Sequence, residues 1–127
     1  MSTLLRILAL CNNDGDTEKL FKTLRKQTLL TCAWNLPELK VLLKGGQYDL
    51  FLCVEDFAGG TWRDALVQVR QLRPQLPVVI FSSEPTFNWA AAIEAGAADV
   101  ITKTISDDVL ISTLAKIAPK FVKRAAN

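Results

Sequence analysis

Five short segments that are apolar almost without interruption constrain this chain more than any other feature: Leu4 to Leu10, Leu29 to Trp34, Leu50 to Val54, Pro77 to Phe81 and Val100 to Thr102. A strand with one wet face alternates apolar and polar side chains, whereas a strand covered on both faces does not, so these runs read as buried parallel strands. The stretches between them carry a helical period. Leu20, Phe21 and Leu24, then Leu39, Leu42 and Leu43, then Leu66, Val69 and Leu72 recur at i, i+3 or i+4, and Trp89 with Ile93 does the same in a fourth stretch. A fifth has the clearest start signal, with Ser106 as N-cap, Asp107 and Asp108 complementing the helix dipole, and Ile105 placed to staple against Leu110. Its stripe of Leu110, Leu114 and Ile117 meets Pro119, which ends or kinks the helix.

Strand followed by helix, five times over, predicts an α/β fold with an open, doubly wound parallel sheet, because right-handed crossovers leave few other arrangements. With 127 residues the chain is expected to form one domain, residues 1–127, and the short strand order 2-1-3-4-5 suits that length. The ligand crevice of such a sheet lies beyond the carboxyl ends of the strands, around the loops after the first and third. Half the residues are apolar and the net charge is +2, which argues against a disordered chain and against a broad nucleic-acid surface. No apolar run approaches the length that spans a bilayer, and the N-terminal MSTLLRILALCNND lacks the basic start and small-residue cleavage site of a signal peptide, so a cytoplasmic protein with no membrane partner is expected. Lys116, Lys120, Lys123 and Arg124 form a basic tail, read as a solvated helix end or, from about residue 119, as the start of a linker.

Cys11, Cys32 and Cys53 leave one cysteine over in any disulfide scheme, and each lies inside an apolar segment. They are expected to be small buried hydrophobes in a reducing compartment. With no histidine and no CxxC pair, a metal site would fall to cysteine almost alone.

The run LRILALCNND, then YDLFLCVEDFAGG, LPVVIFSS and AGAADVITKTI resembles, over almost the whole chain, the receiver domain of two-component response regulators. The last stretch is the most specific, since an alanine-glycine-alanine turn, a short strand and then a lysine do not follow from α/β composition alone. The resemblance implies a flavodoxin-like sheet and a phosphorelay module that takes a phosphoryl group from a kinase histidine onto an aspartate, with Mg²⁺ held by that aspartate and an acidic pair. Such chemistry needs an oxygen nucleophile placed in line and carboxylates that hold a hard cation.

Carried over without a gap, the acidic pair falls on Asn12 and Asn13, both neutral amides, and the phosphoacceptor position falls on Val54, which has no lone pair to attack with. Glu55 and Asp56 are the candidate substitutes. Side chains alternate along a strand, so Glu55 is expected on the face opposite Val54, and Asp56 regains that face only about 6 to 7 Å further along. Asp14 and Asp16 read as loop and N-cap residues of the first helix rather than a rebuilt metal site. Ser82 matches the family's phosphoryl-contacting hydroxyl and Lys103 its pairing lysine, while Thr104 and Val100 depart from the usual proline and aromatic switch residue. Trp62 and Trp89 are expected to pack in the core or at its boundary. Trp89 also falls on the face of the fourth helix, fifth strand and fifth helix, which the resemblance makes the dimer or output surface.

The reading favoured by the sequence is a pseudo-receiver: a signalling module, not an enzyme, without cofactor, that binds a protein partner or a second copy of itself through that face. A receiver phosphorylated on a displaced carboxylate, Glu55 or Asp56, with Mg²⁺ and help from Asp14, is the alternative. A small-ligand or flavin binder ranks third, because CNNDGDTEK has no glycine-rich fingerprint and its aspartates repel phosphate.

Overall fold

A computed structural model describes residues 4–84, 87–102 and 105–117. Its elements are β1 (Arg6–Leu10), α1 (Gly15–Arg25), β2 (Leu29–Ala33), α2 (Leu36–Gly45), β3 (Leu50–Val54), β4 (Asp56–Phe57), β5 (Gly60–Thr61), α3 (Trp62–Leu72), β6 (Val78–Ser82), α4 (Trp89–Glu94), β7 (Asp99–Thr102) and α5 (Asp107–Ile117). The five long strands pair in parallel in the order β2-β1-β3-β6-β7, which is the expected order once the two-residue strands β4 and β5 are set apart as a small antiparallel hairpin.

The continuous apolar runs are explained by two cores that share one sheet. Ile7 and Ala9 of β1, Leu50, Leu52 and Val54 of β3, and Val79 and Phe81 of β6 pack with Leu20, Phe21 and Leu24 of α1 and Leu110 and Leu114 of α5. The intervening Leu8, Leu10, Phe51, Cys53, Val78 and Ile80 pack with Leu39 and Leu43 of α2, Leu66 and Val69 of α3, and Ala92 of α4. Period-two alternation thus sends every second residue into a different apolar layer, and each buried Leu, Ile or Phe contributes roughly 1.5–3 kcal/mol. β3 and β6 are buried at all five positions, whereas the edge strand β2 is not.

Local signals set the helix ends. Asp14 is the N-cap of α1, its Oδ1 accepting the Asp16 N–H at 2.8 Å, so Asp16 lies inside the first turn and is not the cap. Asn35 caps α2 by accepting the Glu38 N–H at 2.9 Å, and Asp64 accepts the Thr61 N–H at 2.9 Å at the start of α3. The Ser106 hydroxyl faces the Val109 N–H at 3.4 Å, and Ile105 joins the core that holds Leu110, as the staple expectation requires. Gly96, just past α4, has φ +113°, a left-handed conformation that explains the glycine of the alanine-glycine-alanine turn. Its carbonyl accepts from Arg70 Nη2 at 2.7 Å. Arg73 ties the end of α2 to the end of α3, donating to the Leu43 carbonyl at 2.9 Å and to that of Gly46 at 2.6 Å.

Two expectations need correction. The fourth helix is a six-residue element that buries Ala92, while Trp89 and Ile93 face outward at 56% and 36% exposure. Trp89 is therefore not a core residue; Trp62, at 7%, is. The cysteines also divide, since Cys11 and Cys53 are buried but Cys32 is only partly so. Among the described residues no helix is long and apolar enough to cross a membrane. Lys103, Thr104 and the tail from residue 119 lie outside the described residues.

Candidate functional site

Three loops meet beyond the carboxyl ends of β1, β3 and β6. The register places Leu10 beside Cys53 and Val54 beside Phe81, so Asn12, the β3–β4 junction and Ser82 converge on one rim. Asn12, Asp14, Thr17, Val54, Glu55, Asp56, Phe81, Ser83 and Glu84 line a hollow there of about 110 Å³.

Asn12 is the link between the first two loops. Its Nδ2 donates to the Asp56 carbonyl at 2.9 Å, and its Oδ1 accepts the Asp14 N–H at 3.0 Å. The two partners fix the amide orientation, because a carbonyl requires a donor and an N–H an acceptor. An ionised aspartate would satisfy the second bond and not the first. The neutral amide is thus suited to holding the β3–β4 junction directly against the β1–α1 loop. Asn13 is exposed and borders a neighbouring hollow with Cys11, Trp34 and Phe57.

Val54 is 1% exposed and packs with Ile7, Leu52, Val79 and Phe81, so its side chain belongs to the core. Since Val54 pairs with Phe81, the next step in register brings Glu55 beside Ser82, and Ser82 Oγ donates to Glu55 Oε1 at 2.6 Å. The same alternation that turns Glu55 away from Val54 puts it on the Ser82 side of the sheet. Glu55 is a partly buried site residue, not merely a loop residue. The Ser82 hydroxyl is fully buried and also accepts the Glu84 N–H at 3.1 Å, so both its donor and acceptor roles are filled locally. Asp56 is exposed, and its backbone pairs across the hairpin with Thr61. Gly59 turns that hairpin with φ +91°, and a Cβ at Gly60 would stand 2.8 Å from the Asp64 carboxylate. The hairpin is the site feature that sequence reasoning missed; Ala58-Gly59-Gly60 was its signal.

The donor set does not fit Mg²⁺. The cation takes several hard oxygen ligands, preferably anionic, and loses water reluctantly. Here the Asn12 amide N–H is aimed at the Asp56 carbonyl oxygen, and the strand-end position holds a buried valine. Among the described residues no group of three or more Cys, Asp or Glu is arranged to hold a metal ion.

No family model matches the sequence. No match was found among curated proteins. The similarity lies in solved structures. The signal receiver domain of an HD domain-containing protein from Pseudomonas fluorescens superposes with a TM-score of 0.80 at 17% identity, over 98% of this chain and 93% of that one. A response regulator receiver domain protein from Methanospirillum hungatei gives 0.78 at 16%, over 96% and 99%. The receiver domain of a sensor histidine kinase from Pseudomonas aeruginosa, which has a magnesium ion coordinated in its active-site cleft, gives 0.79 at 15%, over 92% and 99%. The chain has the receiver fold, a five-stranded parallel flavodoxin-like sheet between two helical layers.

Proposed function

We propose that this chain is a pseudo-receiver: a signalling module that keeps the receiver fold, takes no phosphoryl group and acts through protein contact. The observation that carries the reading is the Asn12 bridge to the Asp56 carbonyl, in which an N–H donor occupies the place between loops where phosphoryl-transfer chemistry needs a cation. Val54, buried in the core at the strand end, supplies no nucleophile, and the Ser82 hydroxyl is taken up by Glu55 and the Glu84 N–H. Intact-mass measurement after incubation with acetyl phosphate and Mg²⁺ tests this. The expected result is no mass gain; a phosphoryl adduct would overturn it.

One observation favours a second reading. Glu55 rather than Asp56 holds its carboxylate against the Ser82 hydroxyl, so a displaced acceptor would be Glu55. An adduct lost on Glu55→Gln and kept on Asp56→Asn would identify it. The contact surface is assigned to α4, β7 and α5, where Trp89, Ile93 and Val109 present 56%, 36% and 53% of their surface. Aromatic anchors of this kind dominate interfaces. Light scattering on the parent and on Trp89→Ala separates self-association, which the variant would weaken, from binding to another protein.

A further inference from the structure

We propose that Cys32 is a nucleophilic thiolate and a site of oxidative modification, converted by a hydroperoxide to a sulfenic acid, with Arg25 holding its negative charge. The two groups come together because β2 is the edge strand beneath the last turn of α1. Arg25 Nη2 lies 3.5 Å from Cys32 Sγ. Cys32 is opposite Ala9 in the β1–β2 register, and Cys11, two residues further along, shares that face and extends the ladder through its N–H to the Ala33 carbonyl at 2.8 Å. The Cys11 thiol donates instead to the Ala9 carbonyl, 4.0 Å away.

The assignment to Cys32 rather than Cys11 follows from position. Cys32 is partly exposed and touches the guanidinium, whereas Cys11 is 1% exposed. The neighbouring Cys11 thiol, and then the charge and hydrogen bond of Arg25, outweigh burial and bring the Cys32 thiol down to about 6. Cys11 is pushed far up by the neighbouring Cys32 and by burial, and Cys53 is pushed up by burial alone. Thiolate character and exposure together govern cysteine reactivity, and only Cys32 has both.

In the step, a lone pair of the Cys32 thiolate attacks one peroxide oxygen, an S–O bond forms and the O–O bond breaks. The departing hydroxide takes a proton from solvent and leaves as water; sulfur loses two electrons and the peroxide gains them. Cys11 sits diagonally across the strand pair from Cys32 and turns its thiol to the Ala9 carbonyl, so it is not placed as a partner in a bridge.

The test uses the folded full chain, treated with hydrogen peroxide and dimedone and read by peptide mass spectrometry, beside iodoacetamide alkylation rates across pH. The expected result is a dimedone adduct on Cys32 alone and an alkylation midpoint near pH 6. Arg25 is exposed, so Arg25→Gln should fold, as circular dichroism would confirm, and a one-unit rise in its midpoint would slow alkylation near pH 6 by roughly fivefold. Arg25→Lys, which keeps the charge, should recover part of that rate. A midpoint in the ordinary thiol range, or a rate indifferent to Arg25→Gln, would overturn the proposal. A Cys11–Cys32 disulfide in place of the adduct would overturn the assignment of a sulfenic acid as the product.

Discussion

Replacing Asn12 by aspartate is nearly isosteric, and it introduces the charge that the resemblance to receivers implies here, yet the geometry predicts that it harms this protein. At neutral pH the introduced carboxylate still accepts the Asp14 N–H but cannot donate to the Asp56 carbonyl 2.9 Å away. One partly exposed hydrogen bond, about 1 kcal/mol, is lost, and a negative charge is set against a carbonyl oxygen and beside Asp14, Glu55 and Asp56. A total of about 1–2 kcal/mol corresponds to a fall in Tm of roughly 3–8 °C for a chain of this size. Asn12→Ala loses both bonds without the repulsion, so the two variants should be destabilised to a similar degree. Their pH dependences should differ. Repulsion raises the carboxyl's folded pKa above its unfolded value, so the penalty is full above the folded pKa and shrinks as pH falls through it, when the protonated acid can donate again. Differential scanning fluorimetry on the three proteins across pH is the assay. If Asn12→Asp matches the parent at neutral pH without added Mg²⁺, the bridge does not hold the loops and the reasoning fails.

Other substitutions test the remaining contacts. Val54→Asp places an unpaired carboxylate at a 1% exposed core position and should cost about 3 kcal/mol or more in urea unfolding; an unchanged midpoint would mean the side chain is not buried as described. Trp62→Ala should cost about 3–5 kcal/mol and Trp89→Ala less than about 0.5 kcal/mol, since one ring is buried and the other exposed; equal effects would remove the distinction on which the proposed surface rests. Arg73→Ala removes the bonds to the Leu43 and Gly46 carbonyls and should lower stability by about 1.5–3 kcal/mol, with amide hydrogen exchange rising first at the end of α2.

The strands were legible because burial on both faces leaves a signal that five residues suffice to carry, as at Leu50 to Val54, where expected and observed bounds coincide. Helical period was less informative where a helix is short. Trp89 and Ile93 stand at i and i+4, but spacing says only that they share a face, and the small Ala92 is what α4 buries. The β4–β5 hairpin is too short for any period and shows only through its glycines. At the site, sequence could place Asn12 and Val54 by resemblance, but not the bonds that give the substitutions their meaning. Asn12 to Asp56 spans 44 positions and Glu55 to Ser82 spans 27, and each depends on strand register, which apolar pattern fixes only as far as parity. Cys32 is a comparable case: its apolar neighbours suggest a core residue, and its edge-strand position beneath Arg25 makes it a different one.

A receiver fold without the receiver reaction is tested by an amide chemical-shift titration with beryllofluoride and Mg²⁺, which together mimic a bound phosphoryl group. No saturable shift is expected at Asn12, Val54, Glu55 or Ser82, because an amide closes the first loop onto the third, Val54 offers no carboxylate and that of Glu55 is held by the Ser82 hydroxyl. Saturable shifts centred on these residues, abolished by Glu55→Gln, would contradict it.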